Sequence, residues 1–208
     1  TSGGCGHPER ARRGGVEIMT ARWTGYEAMA TDDGIIVRRS TATLPYAVRP
    51  CVESDLEALE WMGMFTSHRE IIRAVFERHR RGEDVMLVAD ANGFPVGQLW
   101  IDFLRKAHRS TALLWAVRVF PPLRNLGIGR HLMLAAEEVV LRRNLTRLEL
   151  GVEHDNPDAR RFYERLGYRP CARFRDAYGY ITPEGIPMQS PPDQTMMIKD
   201  LEARRLHA

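Results

Sequence analysis

The chain has 208 residues, of which 44% are hydrophobic and 27% are charged, and its formal net charge is only +3. This composition fits one globular domain with roughly 40 to 50 further residues, and so small a charge does not require a nucleic-acid-binding face. The cysteines are far apart and no apolar run approaches the ~18 residues of a membrane span, so we expect a cytoplasmic protein with no metal and no membrane partner.

The first 45 residues differ in composition from the rest of the chain. They open with TSGGCGHPERARRGG, a segment rich in glycine and arginine that has almost nothing to bury. We therefore predict three parts: an N-terminal extension over 1–45 that is partly disordered, a folded domain over 46–201 and a short tail over 202–208. Within the extension, GIIVRR at 34–39 is a candidate strand.

From Tyr46 onward the apolar residues alternate between strand and helix periods. Strands are predicted near 46–50, at 85–89 and 94–102 as a hairpin, at 111–120, at 146–153, and at 168–180 and 194–200. Helices are predicted at about 54–61 and 67–82, each opened by a capping box, and at 128–143 and 156–167. Three consecutive strands followed by a single crossover helix indicate an α/β (α+β) fold, with a mixed, mostly antiparallel sheet of about seven strands flanked by about four helices.

The turn between the strand at 111–120 and the following helix lies in the stretch VFPPLRNLGIGRHL. Its two prolines end the strand because proline cannot donate to a strand ladder. Gly127 and Gly129 allow backbone conformations and close approaches that other residues resist. The first N–H groups of the helix have no partner within the helix and carry partial positive charge, so the turn is typical of an anion site, best suited to phosphate.

Charge and spacing narrow the kind of phosphate ligand that this turn would bind. Arg124 and Arg130 add full positive charges beside the glycines. The segment lacks the GxxxxGK[ST] pattern of a Walker A loop, and Leu132 stands where the dinucleotide fingerprint GxGxxG has its third glycine. Glycines before a helix are also common in purely structural turns, so the motif alone leaves both interpretations open.

Two motifs in order resemble those of the GNAT family of N-acetyltransferases. The first is V-x-P-x-x-R-x-x-G-x-G, carried by Val119, Pro121, Arg124, Gly127 and Gly129. The second is L-x-V-x-x-x-N-x-x-A-x-x-x-Y-x-x-x-G-Y, carried by Leu150, Val152, Asn156, Ala159, Tyr163, Gly167 and Tyr168. The order of predicted elements over 46–201 is also similar to that of the family.

The resemblance implies a site for acetyl-CoA in a wedge between the fourth and fifth strands of the domain. In this family the pantetheine pairs with the backbone of the fourth strand, and the pyrophosphate binds the backbone amides of the glycine turn. The residues implied in cofactor binding are Val117, Val119, Arg124, Asn125, Leu126, Gly127, Ile128, Gly129, Arg130 and Asn156.

The same resemblance implies that Tyr163 is the acid that protonates the departing thiolate, since a phenol with a pKa near ~10 can donate to a thiolate. From its spacing alone, Tyr163 lies on an apolar helix stripe and is also consistent with a core residue. The base is left open between Glu149 and Glu153, which strand alternation places on one face, and either is also consistent with a solubilising surface residue. Ribosomal-protein acetyltransferases of the family often carry Glu at the position of Gly151, so this chain departs from them.

The combined expectation is an N-acetyltransferase that moves an acetyl group from acetyl-CoA to a primary amine by direct attack, without a metal. The acceptor is a small-molecule amine or a protein amine, and Trp61 and Phe65 are candidates to line its site. A homodimer is common in the family. Two alternatives stay open: a non-catalytic acyl-CoA sensor with the same fold, and a nucleic-acid-associated protein that uses its arginine-rich N-terminus.

Overall fold

The computed structural model describes residues 11–13, 16–23, 42–174, 179–181, 187–189 and 193–201, with side chains over 43–173 and 193–201. The described strands are β1 (Ala11–Arg13), β2 (Val16–Trp23), β3 (Ala42–Pro50), β4 (Asp84–Ala91), β5 (Phe94–Asp102), β6 (Thr111–Val119), β7 (Arg147–Glu153), β8 (Arg169–Phe174), β9 (Gly179–Ile181), β10 (Pro187–Gln189) and β11 (Gln194–Asp200). The described α-helices are α1 (Arg69–Arg80), α2 (Ile128–Arg142) and α3 (Pro157–Arg165).

The described strands form one large sheet in the order β1-β2-β3-β4-β5-β6-β7-β11-β8, and β9 pairs with β10 in a separate two-stranded sheet. Every neighbouring pair of the large sheet is antiparallel except β6 and β7, which are parallel because α2 carries the chain across between them. The predicted fold class, a mixed and mostly antiparallel sheet with flanking helices, is confirmed. The seven strands that the sequence predicted are β3 to β8 and β11.

Two further strands of the sheet come from the N-terminal extension, for which composition predicted little structure. β2 pairs with β3 through Met19 opposite Tyr46, and β1 pairs with β2. A strand ladder uses backbone groups, so a segment that precedes the predicted domain can still be held on the open edge of a sheet. β3 begins at Ala42, ahead of the predicted boundary at 46, and the candidate strand at 34–39 lies outside the described residues.

The helix predicted over 54–61 is wrong, because the chain forms two short 3-10 turns there instead, Glu53–Asp55 and Ala58–Glu60. Trp61 and Met62 both adopt positive φ angles, 44° and 56°, which end the second turn. Asp55 fixes the first turn, since its carboxylate accepts a hydrogen bond from Val52 N at 2.8 Å. This bond caps the first turn but does not extend it, so a capping-box spacing alone did not determine an α-helix.

Helices pack on both faces of the sheet, each face using alternate residues of the strands. On β4, Leu87 and Ala89 join the large core beneath α2, whereas Met86 and Val88 join a smaller core beneath α1. The part of α2 buried in the large core is formed by Ile128, Leu132, Met133, Ala136 and Val140. Among the described residues, no helix has the length and apolar character that crossing a bilayer needs.

Candidate active site

A wedge opens in the middle of the sheet where β6 and β7 separate. Their parallel pairing runs from Thr111 opposite Arg147 to Leu114 opposite Leu150 and then stops. Beyond that point β6 stays paired with β5 as far as Val119, while β7 stays paired with β11 as far as Glu153. The two strand ends therefore diverge and leave their facing edges open between them.

A β-bulge in β6 produces the bend at the mouth of this wedge. Gln98 on β5 lies opposite Arg118, but Trp100 lies opposite Trp115, so β6 has one more residue than β5 over this stretch. Ala116, inside the bulge, has a φ of 51°. A non-glycine residue in this region carries strain of order 1 kcal/mol, and such bulges bend the strand that contains them. The bulge turns the end of β6 away from β7.

A cavity of about 670 Å³ fills the wedge. Its walls come from β6, β7, α3 and β11, and from the segments that precede α1 and β6. Four residues predicted from the sequence as site residues line it together: Val117, Glu153, Asn156 and Tyr163. The tertiary structure thus brings a strand edge, a carboxylate and a phenol to one space that is large enough for a thioester and an amine.

The glycine turn leads directly into α2 at the end of β6. Asn125 and Gly127 adopt left-handed conformations, with φ of 65° and 84°, and Gly127 is the N-cap residue of α2. Since glycine has no side chain with which to cap the helix, the amides of the first turn are left for a ligand. Arg124 and Arg130 are exposed beside them, as the sequence predicted, whereas the side chain of Ile128 is buried and only its backbone can take part.

The end of β6 lies against the first turn of α2, so the strand edge and the helix amides form one continuous surface. A Cβ built on Gly129 would lie 3.6 Å from Cγ2 of Val119 and 3.4 Å from Cζ of Phe162. Phe120 N donates to Val96 O on β5 at 2.8 Å. Because successive amides of a strand point in opposite directions, the N–H of Val119 is directed toward the wedge.

Replacing Gly127 with alanine is expected to weaken CoA binding about tenfold and to cost about 1 kcal/mol of unfolding free energy, because a Cβ disfavours φ near 84°. Gly93→Ala is the matched control: Gly93 has a φ of 82° and equally open surroundings, but it lies in the β4–β5 turn. We expect Gly93→Ala to lose similar stability and to keep its CoA affinity in a calorimetric titration. Equal affinity losses in the two variants would show that the turn at Gly127 has no special part in binding.

Tyr163 lines the cavity from α3 with its ring almost fully buried. Its ring packs edge-on against Phe162 and Tyr168, with centroids 5.1 and 6.0 Å away. Burial raises the pKa of Tyr163 well above its usual value, so the hydroxyl keeps its proton at any assay pH. The ring of Tyr163 is therefore part of the core, as its helix stripe indicated, and its protonated hydroxyl belongs to a residue that lines the cavity.

The two candidate bases occupy different environments although both lie on the same face of β7. Glu149 is buried, and its carboxylate is engaged by an ion pair with Lys106 and lies 3.9 Å from Arg109 Nη1. Glu153 is exposed and lines the cavity. Strand alternation placed both on one face correctly, but only the fold reveals that Glu149 is held by a cation and does not line the cavity.

Asn156 has a structural task in addition to lining the cavity. Its side-chain Oδ1 accepts a hydrogen bond from Ala159 N at 3.0 Å and caps α3. Capping fixes the start of the helix that carries Tyr163. Position 156 therefore sets the geometry of the phenol whether or not its amide also contacts a cofactor.

Sequence patterns assigned no site role to His68, Arg105, Lys106, Arg118 or Gln194, which all line the cavity. Burial, together with the charge of Arg118, lowers the pKa of His68, so its imidazole is neutral at pH 7 and able to accept a proton. Gln194 is the first residue of β11 and offered no motif. Trp61, by contrast, was a candidate acceptor contact but lies in the core, where its Nε1 donates to Pro95 O at 2.7 Å.

Phe65, the other candidate acceptor contact, does not line the cavity either. Its ring packs against Trp61 and lies under the guanidinium of Arg118, 4.3 Å from ring centroid to Cζ. The aromatic cluster between the 3-10 turns and α1 therefore supports a cavity wall from behind. Arg118 and His68, which both pack against the ring of Phe65, line the cavity in its place.

Comparison with known proteins gives a family match over the part of the chain that forms this site. The model of the acetyltransferase (GNAT) family matches residues 53–168, more than half of the chain. The matched region contains the bulged strand, the glycine turn and Tyr163.

Individual relatives agree with this match. An N-acetyltransferase of Bacillus subtilis is 28% identical over 140 residues, covering 66% of this chain and 92% of its own length. An N-acetyltransferase of Methanocaldococcus jannaschii is 36% identical over 94 residues, but the match spans 43% of this chain and only 41% of that protein. A solved structure from Salmonella typhimurium, a putative acetyltransferase with its cofactor acetyl-CoA, has a TM-score of 0.60 at 18% identity and covers 78% of this chain and 98% of its own. That structure supports the fold.

Proposed function

Because the chain belongs to the acetyltransferase (GNAT) family, we propose that it transfers an acetyl group from acetyl-CoA to a primary amine. The observation that carries this proposal is the wedge between β6 and β7, which ends at the uncapped first turn of α2. A phosphate anion fits such a helix start, and an extended pantetheine arm fits an open strand edge. The residues present therefore fit the cofactor that the family implies.

The proposal assigns a residue of this chain to each step of the reaction. Amides of the glycine turn at 127–130, with Arg124 and Arg130 beside them, would hold the pyrophosphate. Acetyl-CoA supplies the acetyl thioester. The N–H of Val119 would donate to the acetyl carbonyl oxygen as negative charge develops there. Such a preorganised donor acts without solvent reorganisation.

The proton transfers fall to two other cavity residues. A free alkyl amine has a pKa near ~10 and must lose a proton before it can attack. Glu153 would accept that proton through water, and Tyr163 would donate its hydroxyl proton to the departing sulfur. The second proton, which the nitrogen loses as the amide forms, would return to the tyrosinate. Glu149 would not accept the proton itself, and its ion pair with Lys106 would offset the charge of that cation at the cavity wall. The acceptor is a small-molecule amine or a protein amine, as the sequence indicated.

The proposal is tested by two measurements on the purified full chain. We expect calorimetry to show saturable binding of CoA, and we expect thiol release from acetyl-CoA to depend on at least one amine of a panel of amino acids, polyamines and peptides. Tight CoA binding with no turnover on any amine would favour the non-catalytic sensor instead. Absence of CoA binding would reject both, because the two functions share the same anion site.

A further inference from the structure

A carboxamide fills the space at the one β7 position that lacks a side chain. A Cβ built on Gly151 would overlap Oε1 of Gln194 and would lie 3.1 Å from its Cδ. The side chain of Gln194, which comes from the neighbouring strand β11, therefore occupies the volume that any side chain at position 151 would need. Both residues line the cavity.

The sheet register explains how a side chain from β11 comes to fill the space beside Gly151 of β7. Met196 pairs with Gly151 and Gln194 pairs with Glu153 in the antiparallel ladder of β11 and β7. Residues two apart share a face of the sheet, so Gln194 and Glu153 both face the cavity on either side of the gap at Gly151. The gap lets the carboxamide fold back over the β7 backbone, where it would otherwise meet a Cβ.

We propose that Gln194 is an acceptor-binding residue: its Oε1 accepts a hydrogen bond from the amine nitrogen that attacks the thioester. This inference rests on the proposed acetyl transfer. A carboxamide oxygen accepts hydrogen bonds as a carboxylate does, but it carries no charge. A carboxamide at 194 orients the amine without adding a second carboxylate beside Glu153, so it raises the pKa of the amine less than a glutamate at 194 would. The proton can then pass to the exposed Glu153.

The charges around Gln194 indicate the class of amine that fits. Arg105 and Lys106 line the same cavity, where they pair with the buried carboxylates of Asp102 and Glu149. Because residue 194 is Gln and not Glu, it adds no carboxylate to that of Glu153 that could pair with a second cation on the acceptor. The charges that line the cavity therefore favour monoamines, with or without an anionic group, over diamines and polyamines.

The test is a double-mutant cycle between Gly151 and Gln194. Gln194→Ala removes the hydrogen bond, and Gly151→Ala displaces the carboxamide by adding the Cβ that overlaps it. We expect each change to raise the KM for the amine about tenfold, with acetyl-CoA affinity unchanged. The double variant is expected to equal Gln194→Ala, since the alanine at 151 then has nothing left to displace. Thr195→Ala, on the opposite face of β11, is the matched control and should leave the KM unchanged.

Gln194→Glu gives a second readout that a merely structural role would not produce. It keeps the shape of the side chain and adds a charge, so we expect the preference for a diamine over a monoamine of equal length to rise at least fivefold. Two outcomes would overturn this inference alone, provided that the wild type turns over. One is that the effects of Gln194→Ala and Gly151→Ala on the amine KM add in the double variant, and the other is that Gln194→Ala leaves the amine KM unchanged. CoA binding without turnover by the wild type would overturn it together with the proposed function.

Discussion

Tyr163→Phe is expected to lower amine-dependent thiol release by about 10² to 10³-fold while leaving CoA affinity nearly unchanged, because positioned proton transfer typically contributes 10²- to 10⁴-fold. The change removes one hydroxyl from a cavity wall and keeps the ring that packs against Phe162 and Tyr168. Burial raises the pKa of this phenol, so the proton lost in the variant is one that the wild type holds throughout the assay range. Thiol release under saturating acetyl-CoA measures the effect.

Tyr168→Phe is the matched control for this prediction. Tyr168 is equally buried, but its hydroxyl donates to Glu137 Oε1 at 3.5 Å and it does not line the cavity. We expect this variant to keep its turnover. Unchanged turnover in Tyr163→Phe would remove the phenol from the mechanism, and an equal loss in both variants would point to altered packing of α3.

Asp102→Asn is expected to lower the free energy of unfolding by about 3 kcal/mol at about pH 5, since the change removes the charged partner that Arg78 and Arg105 share in a buried ion-pair cluster. Asp102 is fully buried, accepts a hydrogen bond from Arg78 Nη2 at 3.0 Å and forms an ion pair with Arg105 Nε at 3.1 Å. Its other oxygen accepts from the backbone N–H groups of Leu104 and Arg105 at 2.8 and 2.9 Å. Asparagine can keep these backbone bonds, so the loss comes from the missing charge.

The pH dependence of this loss follows from two carboxyls that share Arg78. Burial alone would raise the pKa of Asp102, but backbone N–H groups and Arg78 outweigh it and hold that pKa below its usual value. Its stabilisation is therefore present above the unfolded pKa near ~3.9 and is lost as the pH falls through the folded value. The difference between wild type and variant should shrink below about pH 4.

Asp84 also reduces the difference in unfolding free energy between the wild type and Asp102→Asn at high pH. Burial raises the pKa of Asp84 to about 6, and the negative charge of Asp102 adds to this shift. Because the folded pKa of Asp84 is raised, the wild type loses unfolding free energy as Asp84 ionises with rising pH. The variant lacks the negative charge of Asp102, so Asp84 ionises and pairs with Arg78 at a smaller loss. Urea unfolding from about pH 2 to about pH 8 checks both ends of this profile. Asp200→Asn, which removes an exposed carboxylate, is the control and should lower the free energy of unfolding by less than about 1 kcal/mol at every pH. A loss in Asp102→Asn that does not change with pH would contradict the cluster in which Asp84 and Asp102 share Arg78.

The sequence by itself determined the features that depend on local backbone chemistry. Two prolines end β6, Gly127 takes a positive φ, and α2 starts with uncapped amides, all within one short stretch. The helix stripe that contains Tyr163 and the cap at Asn156 are also local, since they depend on residues three and four apart. For this reason the glycine turn before α2, the helix stripe that carries Tyr163 and the cap at Asn156 could be predicted from the sequence.

Only the tertiary structure decided which side chains share the cavity. Strand alternation places Glu149 and Glu153 on one face, but the fold pairs the first with Lys106 and leaves the second exposed. Gln194 fills the gap at Gly151 because sheet order makes β11 the neighbour of β7, although β8 precedes it in the chain. Periodicity along a strand fixes the face of each residue, whereas its neighbours across the sheet depend on strand order and register, which arise from long-range pairing.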